Sequence, residues 1–157
     1  MIKQVIQYLV EHKITISTAE SCTGGLIAKL ITDIPGASVV FIGSVVSYSN
    51  EMKMTLLGVK SETLEKYGAV SENTVREMLN GIRKITGSDI SIAVSGIAGP
   101  VGGTLEKPVG TVYIGMDFSG KNDIRHLIFE GDRERIRTNA AEFAIKMVHD
   151  YLKQNFE

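Results

Sequence analysis

The chain has 157 residues, a formal net charge of -1 at pH 7 and a single cysteine. A chain of that length buries roughly two-thirds of the surface that it exposes when unfolded, so one domain over residues 1–157 is expected. The balanced charge excludes the broad cationic field that duplex DNA or an anionic membrane surface requires, and the apolar runs fall well short of the ~20 residues that cross a bilayer. With one cysteine there is no internal disulfide, and three scattered histidines give no evident metal site. The residues around Met1 lack a signal-peptide pattern, so a cytoplasmic protein working without metal or cofactor is expected.

Ile2, Val5, Ile6, Leu9 and Val10 recur at helical spacing, and residues 14–18 then alternate apolar and polar types as a short strand does. Residues 19–25 form a loop of small polar side chains and two glycines. Leu26, Ile27, Leu30, Ile31 and Ile34 resume the helical period until Pro35-Gly36 stops it. Residues 39–47 are rich in β-branched types and read as a strand, followed by a short helix over about 49–57 that ends at Gly58. Ser61 can cap a further turn or two that closes near Gly68.

Ser71 has the position of a cap for a helix whose apolar face is Val75, Met78, Leu79 and Ile82, ending at Thr86-Gly87. Residues 90–94 read as a buried strand that runs into a glycine-rich loop over 96–103. A strand over 111–118 follows, then a hairpin connection over 119–123 and a partner strand over 124–129. Asp132 can cap a last helix striped by Ile136, Ala140, Phe143, Ala144, Met147, Tyr151 and Leu152. The alternation of helices and strands with a late hairpin predicts an α/β fold, a mixed sheet with helices on both faces. In such sheets ligands sit beyond strand ends, and the loops at Ser21 and at Gly96 both follow a predicted strand.

The run Thr18-Ala19-Glu20-Ser21-Cys22-Thr23-Gly24-Gly25 places a hydroxyl between a strand and a helix start, where backbone N–H groups favour negative charge. That suits a nucleophile facing an oxyanion site, although Ser21 and Thr23 could equally serve as caps. Cys22 is the rival nucleophile, but no histidine stands near it in sequence to activate it. A serine needs a base. His12 and His149 lie on terminal helices and His126 on a charged strand, which leaves a lysine of lowered pKa as the option. Lys53, after Tyr48-Ser49-Asn50-Glu51, could swing back over the sheet edge beside Tyr48, but most lysines are solvated. The loop from Ser95 through Gly103 could form an anion-binding nest or be plain connection, and it matches neither the P-loop nor the dinucleotide fingerprint. Arg133, Arg135 and Arg137 stand in the first turns of a helix, where cations oppose the dipole unless an anion is bound; the alternative is a solvated face paired with Glu130, Asp132 and Glu134.

Six segments taken in order resemble the CinA C-terminal domain family over nearly the whole chain. They are the run from Thr18 to Gly25, Tyr48-Ser49-Asn50-Glu51-x-Lys53, Gly68-Ala69-Val70-Ser71, Ser95-Gly96-Ile97-Ala98-Gly99-Pro100, Lys107-Pro108-Val109-Gly110-Thr111-Val112, and Gly131-Asp132-Arg133. The resemblance implies a nicotinamide-nucleotide amidohydrolase of pyridine nucleotide salvage, converting nicotinamide mononucleotide and water to nicotinic acid mononucleotide and ammonia by a metal-free Ser–Lys mechanism. It implies Ser21 as nucleophile, Lys53 as general base, and Tyr48 as the group that orients the lysine or relays the proton. Thr23, Gly24, Gly25, Ser95, Gly96 and Gly99 would bind substrate, with Arg133 on the phosphate and Arg137 as second choice. The family often carries Thr where this chain has Ser95. Many members also carry a molybdopterin-binding-type domain ahead of this one, an activity not expected here. The expected partner is the small-molecule substrate, with self-association into a homo-oligomer a further option. A nucleotide sensor without catalysis, and a Ser–Lys amidase on some other amide, are the alternatives.

Overall fold

The computed structural model describes residues 1–156. Its elements run α1 (Ile2–His12), β1 (Ile16–Glu20), α2 (Leu26–Thr32), a 3-10 turn (Ala37–Val39), β2 (Phe41–Val46), α3 (Asn50–Leu57), α4 (Ser61–Tyr67), α5 (Glu72–Thr86), β3 (Ile90–Gly96), β4 (Thr111–Phe118), β5 (Lys121–Ile128) and α6 (Arg133–Phe156). The five strands form one sheet in the order β2-β1-β3-β4-β5. β1 is parallel to both β2 and β3, whereas β3, β4 and β5 pair antiparallel. The mixed sheet expected from the late hairpin is therefore present. Among the described residues no helix is long and apolar enough to cross a membrane.

Helices cover both faces. One apolar cluster joins Val5, Leu9, Ile27, Ile31, Ile136, Ala140 and Val148 of α1, α2 and α6 to the strands, and a second joins Leu57, Val75, Met78, Leu79 and Ile82 of α3 and α5 to Ala19 and Ala93. β1 lies between two parallel neighbours, so all five of its residues are buried. A strand covered on both faces need not alternate. For that reason the alternation at 14–18 misplaces it: the strand runs two residues further, and Ala19 and Glu20 belong to it rather than to the following loop.

Other boundaries follow from local chemistry. Ser49 and Ser71 cap α3 and α5, accepting from Met52 N at 3.1 Å and Thr74 N at 3.2 Å. Ser61 is not a cap but the first helical residue of α4, and the N–H of Lys60 before it donates to Glu77 Oε1 instead. Asp132 accepts from Arg135 N at 2.9 Å, as expected of a cap. The β4–β5 hairpin is tighter than the expected 119–123 connection: Phe118 pairs with Lys121, and Ser119 and Gly120 both take positive φ (50° and 92°). Two such residues make the primed turn that matches strand twist, so β5 begins at Lys121. Between β1 and β2, Ile16 pairs with Phe41 but Ser17 with Gly43, which leaves Ile42 as an extra residue in a bulge on the open edge strand.

Candidate active site

Parallel β1 and β3 end side by side, and the chain leaves them at Ser21 and beyond Gly96. The loops after them bound a cleft of about 260 Å³ whose lining includes Ser21, Tyr48, Asn50, Lys53, Ser95, Gly99 and Arg133. Among the described residues no aspartate or glutamate lines it. Strand ends of this kind are where open α/β sheets hold their ligands.

Lys53 rides on the inner face of α3 and is 1% exposed. Its Nζ donates to Ser21 Oγ at 2.9 Å and to the carbonyl of Ser47 at 2.8 Å. Burial pushes its pKa below the ordinary lysine value, and only an ionised Cys22 beside it would act in the opposite sense. An amine with a depressed pKa touching a serine hydroxyl is the geometry of a nucleophile with its base, since the neutral amine accepts the hydroxyl proton. Cys22 is also buried, and desolvation, which outweighs the pull of Arg137 and Lys53, raises its pKa to about 11. It therefore stays a thiol near neutral pH.

Tyr48 lines the cleft together with Lys53, but its hydroxyl is not among the hydrogen-bond partners of the lysine amine. Its side chain is mostly exposed, and its hydroxyl accepts from Arg133 Nη2 at 2.8 Å. The group that orients Lys53 is the Ser47 carbonyl. Arg133 also donates from Nη1 to the carbonyl of Gly99 at 2.7 Å, so it bridges the β2–α3 connection and the glycine loop. Ser95 is 1% exposed and gives its hydroxyl to the carbonyl of Ala69 at 2.8 Å, which ties β3 to the segment before α5. Gly96 and Gly99 line the cleft, and each also faces its own chain closely. A Cβ at Gly96 would meet Val112 Cγ2 at 2.7 Å, and one at Gly99 would meet Val109 Cγ1 at 2.4 Å.

Thr23, Gly24, Gly25 and Arg137 are not among the residues that line the cleft. They build the turn behind Ser21. Arg137 donates to the carbonyls of Cys22 and Thr23 at 2.9 and 3.1 Å, and a Cβ at Gly24 would meet its Nη2 at 3.0 Å. Gly25, at φ 99°, is the cap residue of α2. The free helix N–H groups expected beside Ser21 are taken: those of Gly25, Ile27 and Ala28 donate to the buried carboxylate of Glu20. Sequence reading missed Glu20 and Asn50. A signal for Glu20 existed, because α2 starts at a glycine with no capping side chain. None of the three histidines lines the cleft: His12 packs on Phe156, His126 stacks on Tyr113 and His149 bonds Asp150.

The architecture is an α/β/α layer structure with a buried serine–lysine pair at the ends of its central parallel strands. The family model for the CinA C-terminal domain matches residues 1–152, and the chain belongs to that family. A CinA-like protein of Thermotoga neapolitana is 52% identical over 150 residues, 96% of this chain and 36% of that protein. One from Kosmotoga olearia is 53% identical over 144 residues, 92% of this chain and 35% of that protein. The chain thus spans about a third of the length of the curated relatives it matches. Among solved structures, a CinA superfamily protein of Klebsiella pneumoniae superposes with TM-score 0.94 at 37% identity, covering 98% of this chain and 96% of that one. One from Escherichia coli gives 0.91 at 32%, covering 96% and 90%.

Proposed function

We propose that the chain is a nicotinamide-nucleotide amidohydrolase that uses Ser21 and Lys53 as nucleophile and base. The observation that carries this reading is the 2.9 Å contact between a buried lysine amine and a serine hydroxyl at the edge of a cleft. Neutral Lys53 takes the Ser21 proton while Oγ bonds to the carboxamide carbon. The resulting ammonium, steadied by the Ser47 carbonyl, then passes its proton to the departing nitrogen as the C–N bond breaks and ammonia leaves. Water attacks the ester left on Ser21; Lys53 removes the water proton and returns one to Oγ, releasing the acid.

The nucleotide half of the reading rests on Arg133, the basic side chain that shares the cleft with Lys53, and on walls that hold no carboxylate among the described residues. An anionic group set beside Arg133 meets a guanidinium already aimed by Tyr48 and Gly99. Ammonia release measured with nicotinamide mononucleotide, nicotinamide riboside and free nicotinamide tests the reading. Fast release from the mononucleotide and slow release from the other two is expected. Tight binding of the mononucleotide without ammonia would make the protein a nucleotide sensor, and equal rates on all three would remove the phosphate from the argument.

A further inference from the structure

The loop that carries Ser21 starts from a carboxylate for which the reaction above has no use. Glu20, the last residue of β1, is fully buried, and among the described residues no lysine or arginine forms an ion pair with it. Its partners are the N–H groups of the next helix. Oε1 accepts from Gly25 N at 3.1 Å and Ile27 N at 3.0 Å, and Oε2 accepts from Ala28 N at 2.9 Å. From β2, Ser44 Oγ donates to Oε2 at 3.4 Å.

A helix begins with N–H groups that have no partner within it, and its positive end favours a carboxylate. α2 has glycine as its cap and no acidic residue in its first turn, so none of the usual side chains serves. Glu20 supplies the acceptor from the strand end. The chain between is thereby drawn into a closed loop whose first residue is Ser21. Three further bonds restrain it from within and behind: Gly24 N donates to the Ser21 carbonyl at 3.0 Å, and Arg137 donates to each of the next two carbonyls.

Resting on the assignment of Ser21 as nucleophile, we propose that Glu20 is a positioning residue: by filling the anion site at the start of α2 it fixes the backbone of residues 21–25, and with it the distance from Ser21 Oγ to Lys53 Nζ. It touches neither member of the pair through its side chain. It also keeps three N–H groups of that helix start from the substrate.

Glu20→Gln tests this, because the amide keeps the volume and one acceptor oxygen but turns an NH₂ group toward backbone donors. Two measurements are made on the whole chain. One is steady-state kinetics on the mononucleotide. The other is the rate at which a maleimide labels Cys22, the single thiol, buried in the same loop, in the native protein without substrate. In Glu20→Gln, kcat should fall about a hundredfold, the loss that a misplacement of about 1 Å brings, with KM within about threefold. Cys22 labelling should accelerate at least about tenfold while the thermal transition stays cooperative, as local opening requires. Wild-type kcat and labelling overturn the proposal, as does a loss of kcat without faster labelling, or a rise in KM alone. Should Glu20→Gln fail to fold, Ser44→Ala removes one contact to Glu20, along with the bond that Ser44 Oγ accepts from Thr18 Oγ1 at 2.6 Å, and must show both changes at smaller amplitude; wild-type values there overturn the proposal as well. If the unmodified protein releases no ammonia, the amidohydrolase reading falls, and the labelling comparison still decides whether Glu20 holds the loop.

Discussion

Arg133 and Tyr48, 85 residues apart in sequence, are joined by a 2.8 Å hydrogen bond from Nη2 to the phenol oxygen. The bond links the first turn of α6 to the connection between β2 and α3, with the cleft beneath it. Tyr48 therefore aims the arginine rather than the lysine. Tyr48→Phe should raise the KM for the mononucleotide about five- to tenfold, the worth of one hydrogen bond to a charged group that re-forms in part with water, and change kcat little. Kinetics on mononucleotide and riboside side by side check this. A collapse of kcat with KM intact would return Tyr48 to proton transfer.

Arg133→Ala should raise the KM for the mononucleotide about 10- to 100-fold, as loss of a charge-assisted contact worth roughly 1.5–3 kcal/mol implies, and leave the riboside nearly unaffected. Arg137→Ala should behave differently. Its guanidinium holds the carbonyls of Cys22 and Thr23, so turnover of both substrates should suffer alike. Equal losses on both substrates in Arg133→Ala would show that Arg133, too, is structural.

Ser21→Ala removes the atom that forms the acyl intermediate, and kcat should fall on the order of 10⁴-fold or more. Binding of the mononucleotide, followed by calorimetry, should persist because the cleft walls are untouched. Turnover close to that of the unmodified protein would exclude Ser21 as nucleophile.

Burial lowers the Lys53 pKa, and two pH dependences follow. kcat should rise with pH through an ionisation below the ordinary lysine value of ~10.4, and Lys53→Arg should be as inactive as Lys53→Ala because guanidinium cannot accept the proton. For stability, the unfolded chain binds this proton more tightly than the folded one, so stability climbs with pH between the lowered folded value and the unfolded one. The contribution is fully present above the unfolded pKa and is lost as pH falls through the folded pKa. Lys53→Met should abolish that slope and raise the melting temperature at pH 7 while eliminating activity. A pH-independent kcat, or substantial activity in Lys53→Arg, would dismiss Lys53 as the base.

Gly81 lies within α5, where replacement of glycine by alanine ordinarily stabilises a helix by roughly 0.5–1 kcal/mol. Here the added Cβ would stand 2.0 Å from the carbonyl oxygen of Leu57, at the end of α3. Backbone cannot step aside as a side chain can. Gly81→Ala should destabilise by about 1–3 kcal/mol, as overpacking does, and should reduce kcat because α3 carries Lys53. Denaturant titration alongside kinetics checks both effects; a gain in stability would show that the two helices part freely.

What could be read from the sequence was mostly local. Ser71 and Asp132 as caps, the span of β4 and the apolar stripe of α6 each depend on a few neighbouring residues, and the structure agrees with them. Lys53 could only be a candidate, because the burial that lowers its pKa comes from the docking of α3 against the distant α5, and nothing within its own segment requires it. The resemblance implied Tyr48 as the group that orients the lysine or relays the proton, and its hydroxyl meets Arg133 of α6. Glu20 escaped notice for a related reason. A cap is sought immediately before a helix, and this one reaches forward from the preceding strand.

The extra residue Ile42 in β2 decides which pairs of residues face each other further along. Beyond it Glu20 stands opposite Val46, and the N–H of Ser47 bonds the Glu20 carbonyl at 2.8 Å. That alignment puts the Ser47 carbonyl, and the amine it holds, within reach of Ser21. Were Ile42 to pair with Ser17 instead of bulging out, every later residue of β2 would lie one place back along β1, a slip of about 3.3 Å that turns its side chains to the opposite face. A contact of 2.9 Å does not survive such a step. The two reactive groups thus meet in one alignment of two parallel strands, so a slip of one residue at the outer edge of the sheet acts on the reaction without touching the cleft.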